Sequence, residues 1–161
     1  MPGWPRGSRC TPGSVSTRSW ARERRRTRLR GGVGVTSLLL HMTTRAMYAE
    51  AQRTGRYRVA SLAAEGFIHL STAEQVHLPA NALFRGRRDI VLLCIDPDRL
   101  GAAVLWEPVD PADPQSMRFP HLYGELDIAA VVAVVDYLPA ADGSFAPPVI
   151  QDLPGQPGGT M

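Results

Sequence analysis

Two apolar runs constrain the fold of this chain more than any other feature of its sequence. The runs IVLLCID (90–96) and IAAVVAVVDYL (128–138) are rich in β-branched residues, which fit the pleated surface of a sheet. We expect the first run to form the clearest strand of the chain, with Cys94 as a small buried side chain within it, and the second run to form a central strand. Shorter apolar runs, SLLLHM (37–42), FIHL (67–70) and AAVLWEPV (102–109), predict further strands.

The first half of the chain also predicts helices. Thr43 or Thr44 can cap a helix over RAMYAEAQRTG (45–55), in which apolar residues recur at helical spacing and which Gly55 ends. Two helices followed by a run of strands predict the α+β class, with the helices packed on a mostly antiparallel sheet.

The second helix is predicted to follow the strand FIHL. Ser71 or Thr72 can cap a helix through AEQVHLPANALF (73–84), and Pro79 should break or kink it. The preceding stretch, YRVASLAAEG (57–66), is predicted to be a link. Near the other end of the chain, APPVI (146–150) is a candidate edge strand.

Arginine is concentrated in an N-terminal leader. Residues 1–30 hold nine arginines and one acid, a net charge of +8, whereas the rest holds nine arginines and fourteen acids, a net charge of −5. The leader lacks apolar periodicity and is rich in Gly, Pro, Ser and Arg, which predicts disorder. We therefore divide the chain into a disordered leader (1–34), a single domain (35–150) and a flexible tail (151–161).

Three interpretations of the leader are open: a basic arm for nucleic acid or anionic lipid, a targeting signal, and upstream sequence translated from a misassigned start. The targeting signal is weakened because SLLLHM is needed as the first strand and no clean cleavage site follows it. We favour the misassigned start, with the true start near residue 33 or 35.

Composition narrows the classes of protein and partner. The mildly acidic domain argues against binding to nucleic acid. Cys10 lies in the leader and Cys94 lies within an apolar run, so no disulfide framework is indicated and a reducing cytoplasm is expected. The apolar runs are shorter than the roughly 20 residues that a membrane helix needs, and no membrane partner is predicted. The sequence gives no indication of oligomeric state.

Histidines and other polar or aromatic side chains that could bind a ligand or take part in catalysis lie where predicted strands begin or end. In an extended segment His69 and Ser71 share one face, and His121 and Tyr123 share a face by the same rule. The alternative for each histidine is a structural role, and Ser71 can simply cap a helix. The candidates are His41, Thr43, His69, Ser71, Trp106, Glu107, His121 and Tyr123.

A metal site made of His41, His69 and His121 is a further alternative. The spacings between these histidines are long and match no common metal-ligand motif, so no metal is predicted. The chain also lacks a glycine-rich phosphate loop and the common hydrolase and metalloprotease motifs.

Three long segments resemble a known bacterial family. LLHMTTRAMYAEAQRTGRYRVASLAAEGFIHLSTAEQV, DIVLLCIDPDRLGAAVLWEP and FPHLYGELDIAAVVAV together are similar to the family called domain of unknown function 952. The resemblance covers roughly residues 36–148, and GFIHLST with FPHLYG is specific in combination. The leader lies outside it.

The resemblance implies a fold similar to that of the ADP-ribosyltransferases, an α+β domain with a curved, mostly antiparallel split sheet and a cleft shaped for NAD. By that analogy His41 takes the first-strand role at the ribose, and His69, with Ser71 nearby, takes the second-strand role at the nicotinamide. The third role falls to His121 and Tyr123. Glu107 or Glu125 would supply the acid, although no clear match to the transferase glutamate motif is present.

The roles implied by the resemblance form two sets. The implied catalytic residues are His41, His69, Glu107 and His121, and the implied cofactor-binding residues are Thr43, Ser71, Trp106 and Tyr123. RFPHLYGEL (118–126) is then one wall of a ligand cleft whose opposite wall carries His41 and His69.

The expected function is binding of NAD or a related nucleotide with transfer of ADP-ribose or a phosphate-bearing group. Such an enzyme would use NAD as its cofactor. Two alternatives are a non-catalytic module that binds a nucleotide or another small molecule, and an RNA-directed protein that uses the leader.

Overall fold

The computed structural model describes residues 37–149. The predictions about the leader, Cys10 and the tail lie outside this range. In chain order, the strands of the described part are β1 (Leu39–Thr44), β2 (Ile68–His69), β3 (Ile90–Ile95), β4 (Val104–Pro108), β5 (Arg118–Leu122) and β6 (Val131–Asp136). The α-helices are α1 (Arg45–Thr54), α2 (Ala60–Glu65) and α3 (His77–Leu83). Short 3₁₀ turns lie at Pro97–Arg99 and Ile128–Ala130.

The strands form two antiparallel sheets of three strands each. The first sheet has the order β1-β3-β6 and the second has the order β2-β5-β4. A single bridge joins the two sheets, because Leu40 and Ser71 exchange backbone hydrogen bonds of 2.8 Å in both directions. The predicted α+β class with antiparallel pairing is therefore confirmed.

Strand β3 is the centre of the hydrophobic core. All of its residues are buried, because side chains pack against both faces of the first sheet. On one face Val91, Leu93 and Ile95 pack with residues of the second sheet and of α1. Cys94 lies on the opposite face, fully buried as predicted, and burial raises the pKa of its thiol to about 11.

Strand β6 lies at the edge of the first sheet, so the prediction of a central strand is wrong. Among the described residues β6 pairs only with β3, and every second residue of it is exposed. A β-bulge opposite Cys94 and Ile95 shifts the register of β6. Its β-branched run covers one face of the core, which requires strand conformation but not a central position.

Helix α1 follows the sequence prediction closely. The Thr44 hydroxyl accepts a hydrogen bond from the backbone N–H of Met47, which caps the first turn. Gly55 ends the helix with a φ of 71°, a left-handed conformation that glycine adopts without a steric penalty.

The predicted link at 57–66 contains the short helix α2. No side chain caps it, so the usual start signal is absent from the sequence. Its residues, ASLAAE, are mostly strong helix formers, and Leu62 packs against the core. Three helices are thus present in the described part, where two were expected.

Helix α3 begins later than predicted, at His77, with neither Ser71 nor Thr72 as its N-cap. Pro79 consequently lies in the first turn, where backbone N–H groups have no partner within the helix, and it does not break the helix. The candidate edge strand at 146–150 is not present over its described residues, 146–149.

Candidate functional site

One face of the second sheet carries a group of titratable and aromatic side chains that could bind a ligand. Ile68 and Leu122 point to the buried core. Because side chains alternate along a strand, His69 on β2 and His121 on β5 point the opposite way, and the two residues are directly paired across the strands. We call the side chains of Glu65, Phe67, His69, Glu107, His121 and Tyr123 the sheet-face cluster.

Glu107 holds the polar part of this cluster together. Its Oε2 accepts a hydrogen bond from His121 Nδ1 at 2.6 Å. The Tyr123 hydroxyl donates to both carboxylate oxygens, at 3.0 Å to Oε1 and 2.8 Å to Oε2. Since Nδ1 of His121 donates to the carboxylate, the neutral ring has a lone pair on Nε2, and this atom makes no hydrogen bond to any described residue.

Aromatic contacts fix the planes of these rings. Phe67 stacks on His121 with a centroid distance of 4.2 Å and an angle of 19°. The same phenyl ring lies 5.3 Å from Tyr123 and 4.9 Å from His69. The His69 and His121 rings meet edge to face at 5.1 Å. Packing therefore holds both imidazole rings, and the hydrogen bond to Glu107 holds the ring of His121 in addition.

A second carboxylate stands beside His69. Glu65, the last residue of α2, places Oε2 3.4 Å from His69 Nε2. Both side chains are about half exposed. The cluster thus contains two imidazole–carboxylate pairs, one tight and partly buried and the other looser and open to solvent.

The hydrogen bonds to Glu107 favour its ionised form. Partial burial by itself raises the pKa of Glu107, but the hydrogen bonds from His121 and Tyr123 outweigh that effect and leave the pKa below its ordinary value. Desolvation, together with the adjacent carboxylate, raises the pKa of Tyr123 to about 12. At neutral pH the site therefore presents an ionised glutamate and a neutral tyrosine.

His41 is located in the interior, away from these exposed groups. It is only 7% exposed. Its Nδ1 donates to the backbone carbonyl of His69 at 2.7 Å, and its Nε2 accepts from the Tyr57 hydroxyl at 2.6 Å. Burial lowers the pKa of His41 to about 4, so the ring is neutral and both nitrogens are already used inside the protein.

Tyr57 is the buried partner that completes this arrangement. Burial raises the pKa of its hydroxyl to about 12, an effect that the nearby Thr43 hydroxyl opposes. Thr43 Oγ1 is itself buried and makes no hydrogen bond of ordinary geometry to any described residue. Ser71, also buried, forms the bridge between the sheets. The structure thus places the predicted residues Thr43 and Ser71 in the interior.

Trp106 also lies apart from the cluster. It follows Leu105 and precedes Glu107 on β4, so its side chain points to the other face of the sheet. The indole is 46% exposed. Of the eight predicted site residues, the structure therefore brings together His69, Glu107, His121 and Tyr123.

Sequence reasoning missed Phe67, Glu65 and Tyr57. Phe67 could have been found, because it precedes His69 by two residues and alternation puts both on one face. Glu65 required the position of α2. Nothing in the sequence signals that Tyr57 contacts His41, because their meeting depends on how the segment before α2 packs against β1.

Two surface depressions are lined by other residues. One of about 540 Å³ lies along α1 and includes Arg56 and Arg58, and another of about 490 Å³ includes Arg56, Tyr57 and Glu125. None of the residues of the sheet-face cluster lines either depression.

Residues 37–149 contain neither a metal-binding group of side chains nor a helix that could span a membrane. In this range no group of three or more His, Cys, Asp or Glu side chains is arranged to share a metal ion. Over the same residues, no helix is long and apolar enough to cross a membrane.

Comparison with known proteins places the chain in a family. Residues 42–134 match the family described as protein of unknown function (DUF952). The crystal structure of protein CC0527 from Caulobacter crescentus is similar, with 34% sequence identity and a TM-score of 0.59, over 71% of this chain and 96% of that one. Its solution structure matches at 34% identity and a TM-score of 0.58, over 73% of this chain and 97% of that one. No curated protein matches.

The family match spans more than half of the chain, and the solved relative aligns over nearly its whole length. The quoted motifs GFIHLST and FPHLYG both fall within the matched residues. The chain therefore belongs to the family described as protein of unknown function (DUF952).

Proposed function

We propose that the protein binds a nucleotide with a positively charged planar ring, such as NAD, on the sheet-face cluster and cleaves the bond between that ring and the ribose. The observation that carries the proposal is the position of Glu107, which accepts hydrogen bonds from His121 and Tyr123 on an open aromatic face. A carboxylate that fixes the tautomer of an imidazole is a recurring arrangement for general base catalysis.

The charge of the cluster favours a cationic ligand. Its two carboxylates belong to Glu65 and Glu107, and within residues 37–149 no arginine takes part in the hydrogen bonds or ion pairs of its members. Phe67 and Tyr123 add aromatic rings, which attract a cation or a planar electron-poor ring. The nicotinamide ring of NAD is planar and carries a formal positive charge, so both its shape and its charge match this surface.

The reaction step is balanced without another cofactor. The bond between the ribose C1′ and the ring nitrogen breaks, and its electron pair neutralises the ring, which leaves without needing a proton. Water or a hydroxyl group forms the new bond to C1′ and gives its proton to His121 Nε2. The ionised Glu107 stabilises the positive charge that develops on the ribose and on the imidazole.

These roles differ from those that the family resemblance implies. His41, the implied first-strand contact, has both ring nitrogens occupied by His69 and Tyr57. We therefore assign its role to packing and give the contact with the ligand to His69 and His121. The likeness to the ADP-ribosyltransferase fold and the use of NAD stay predictions.

The test is release of nicotinamide from NAD by the full chain, followed by chromatography. His121→Ala and Glu107→Gln should each lower the rate at least about 100-fold, since general base catalysis contributes roughly 10²–10⁴-fold. Glu74→Gln, which changes an exposed acid outside the cluster, is the matched control and should leave the rate unchanged. Equal rates in all four proteins, or no release together with no binding of NAD, would overturn the proposal.

The second candidate is a non-catalytic module that binds the same ligand. Limited access to His121 favours it, because Phe67 covers one face of the imidazole ring and the side chain is only 14% exposed. This candidate predicts binding of NAD by calorimetry without release of nicotinamide. Phe67→Ala should then abolish binding, whereas Glu107→Gln should weaken it only modestly.

A further inference from the structure

The segment between α1 and α2 alternates between the interior and the solvent. It runs from Arg56 to Val59 without regular secondary structure. Tyr57 is buried, and the arginines on either side of it, Arg56 and Arg58, are exposed. Both arginines therefore reach the solvent on either side of a buried tyrosine.

The guanidinium groups of these two arginines lack the partners that most other arginines in the described part of the chain have. The arginines that pair with a carboxylate or bond a backbone carbonyl there are Arg45, Arg53, Arg85, Arg87, Arg99 and Arg118. The guanidinium groups of Arg56, Arg58 and Arg88 make no hydrogen bond or ion pair with a described residue, although the Arg56 backbone carbonyl accepts a hydrogen bond from the Thr54 hydroxyl. Two of the three unpaired guanidinium groups therefore stand within one short segment.

Arg56 and Arg58 line the same groove. The groove has a volume of about 540 Å³, and its other wall is α1, with Met47, Glu50 and Thr54 among the lining residues. Glu50 does not compensate the arginines, because both of its carboxylate oxygens accept hydrogen bonds from Arg53. The groove thus combines uncompensated positive charge with an apolar wall, since Met47 is 42% exposed.

The backbone that carries the arginines is anchored. Between them, the Tyr57 hydroxyl donates to His41 Nε2 at 2.6 Å in the interior. Before them, Gly55 ends α1, and after them α2 begins at Ala60. The backbone at both arginines is therefore anchored, so a ligand would have to order only their side chains.

We propose that this groove is a binding site for the phosphate groups of a phosphorylated small molecule. Guanidinium groups are planar, permanently charged and able to donate two parallel hydrogen bonds to a phosphate. The volume lies within the range of small-molecule pockets, and the exposed Met47 side chain offers a contact for the carbon-containing part of the ligand. The site is separate from the sheet-face cluster and does not depend on the function proposed for that cluster.

The test is calorimetric titration of the full chain with ADP, inorganic pyrophosphate and adenosine. ADP and pyrophosphate should bind and adenosine should not, and raising the salt concentration should weaken binding. The variant Arg56→Ala/Arg58→Ala should lose at least tenfold in affinity for ADP. Arg88→Ala removes the third unpaired arginine, which lies outside the groove, and should bind as the unchanged protein does.

Two controls keep the result interpretable. Both arginines are exposed, so circular dichroism should show that the double variant is folded. The leader contributes nine arginines to every protein in the series, so binding by the leader would persist in the double variant. Binding that is unchanged in the double variant, equal binding of adenosine, or an equal loss in Arg88→Ala would each overturn the proposal.

Discussion

His41 on β1 and His121 on β5 show what separates a structural imidazole from a chemically available one. His41 uses both ring nitrogens inside the protein, on the His69 carbonyl and the Tyr57 hydroxyl. His121 uses only Nδ1 among the described residues, and Glu107 orients it. The same residue type, each time within a short apolar strand, has opposite roles because the partners differ.

The contrast lies in how many hydrogen bonds the protein itself supplies. A buried imidazole with two partners adds stability and specificity, and a ligand can reach it only after those partners move. An imidazole with one carboxylate partner and a second nitrogen at the surface can accept a proton or a hydrogen bond from a ligand. Exposure alone does not make the distinction, since the His121 side chain is only 14% exposed.

Replacing His41 should have the largest effect on stability. His41→Ala removes the partner of the buried Tyr57 hydroxyl and of the His69 carbonyl and leaves a cavity, so we expect a loss of about 3 kcal/mol or more. The control, His69→Ala, removes an exposed side chain and should cost about 0.5 kcal/mol or less. Urea unfolding of both variants measures the loss of stability. Similar losses in the two variants would contradict the structural role assigned to His41.

The burial of His41 should also make the free energy of unfolding depend on pH. The pKa of His41 is lowered from 6.5 to about 4 by burial, so below pH 6.5 the unfolded chain binds a proton that the folded protein does not. Stability is therefore complete above pH 6.5 and falls as the pH drops towards 4, by roughly 2–3 kcal/mol.

The measurement is the free energy of unfolding at pH 7 and at pH 4.5. The groups that face His41 in this comparison are Tyr57 and His69. His41→Gln keeps a donor and an acceptor but cannot titrate, so it should show a smaller decrease than the unchanged protein. An equal decrease in both proteins would show that another group causes it.

Tyr57→Phe should have an intermediate effect. It keeps the aromatic ring in the core and removes only the hydroxyl that donates to His41 Nε2, so about 1–2 kcal/mol should be lost. The control is Tyr123→Phe, whose hydroxyl is exposed and should contribute less than about 0.5 kcal/mol. Thermal unfolding of the two variants measures this difference. An equal loss of stability in both would contradict the distinction between the interior at Tyr57 and the sheet-face cluster at Tyr123.

The sequence was sufficient to predict which side chains share one face of a strand, because this depends only on alternation along the chain. Period-two alternation correctly put His121 and Tyr123 on one face, and the apolar runs correctly located β1 and β3. Alternation does not say which face is covered. For this reason the sequence could not distinguish the buried His41 from the surface His69.

The order of strands in a sheet was also beyond the sequence. The run at 128–138 is apolar enough for a central strand, yet β6 is an edge, because sheet order depends on long-range pairing. The helix α2 was missed because its first turn has no capping side chain. The partner of His41, Tyr57, comes from a segment whose position is fixed only when α1, α2 and β1 pack together.

The smallest expected effect concerns Glu107. Its pKa is lowered by the hydrogen bonds from His121 and Tyr123, against the opposing effect of partial burial. The extra stability is therefore present above pH 4.5, the ordinary value, and is lost as the pH falls through the lower folded value. Because the side chain is 37% exposed and solvent screens its interactions, we expect only a few tenths of a kcal/mol. Urea unfolding of Glu107→Gln at pH 7 and pH 3 measures this, and a change above about 2 kcal/mol would make Glu107 as structural as His41.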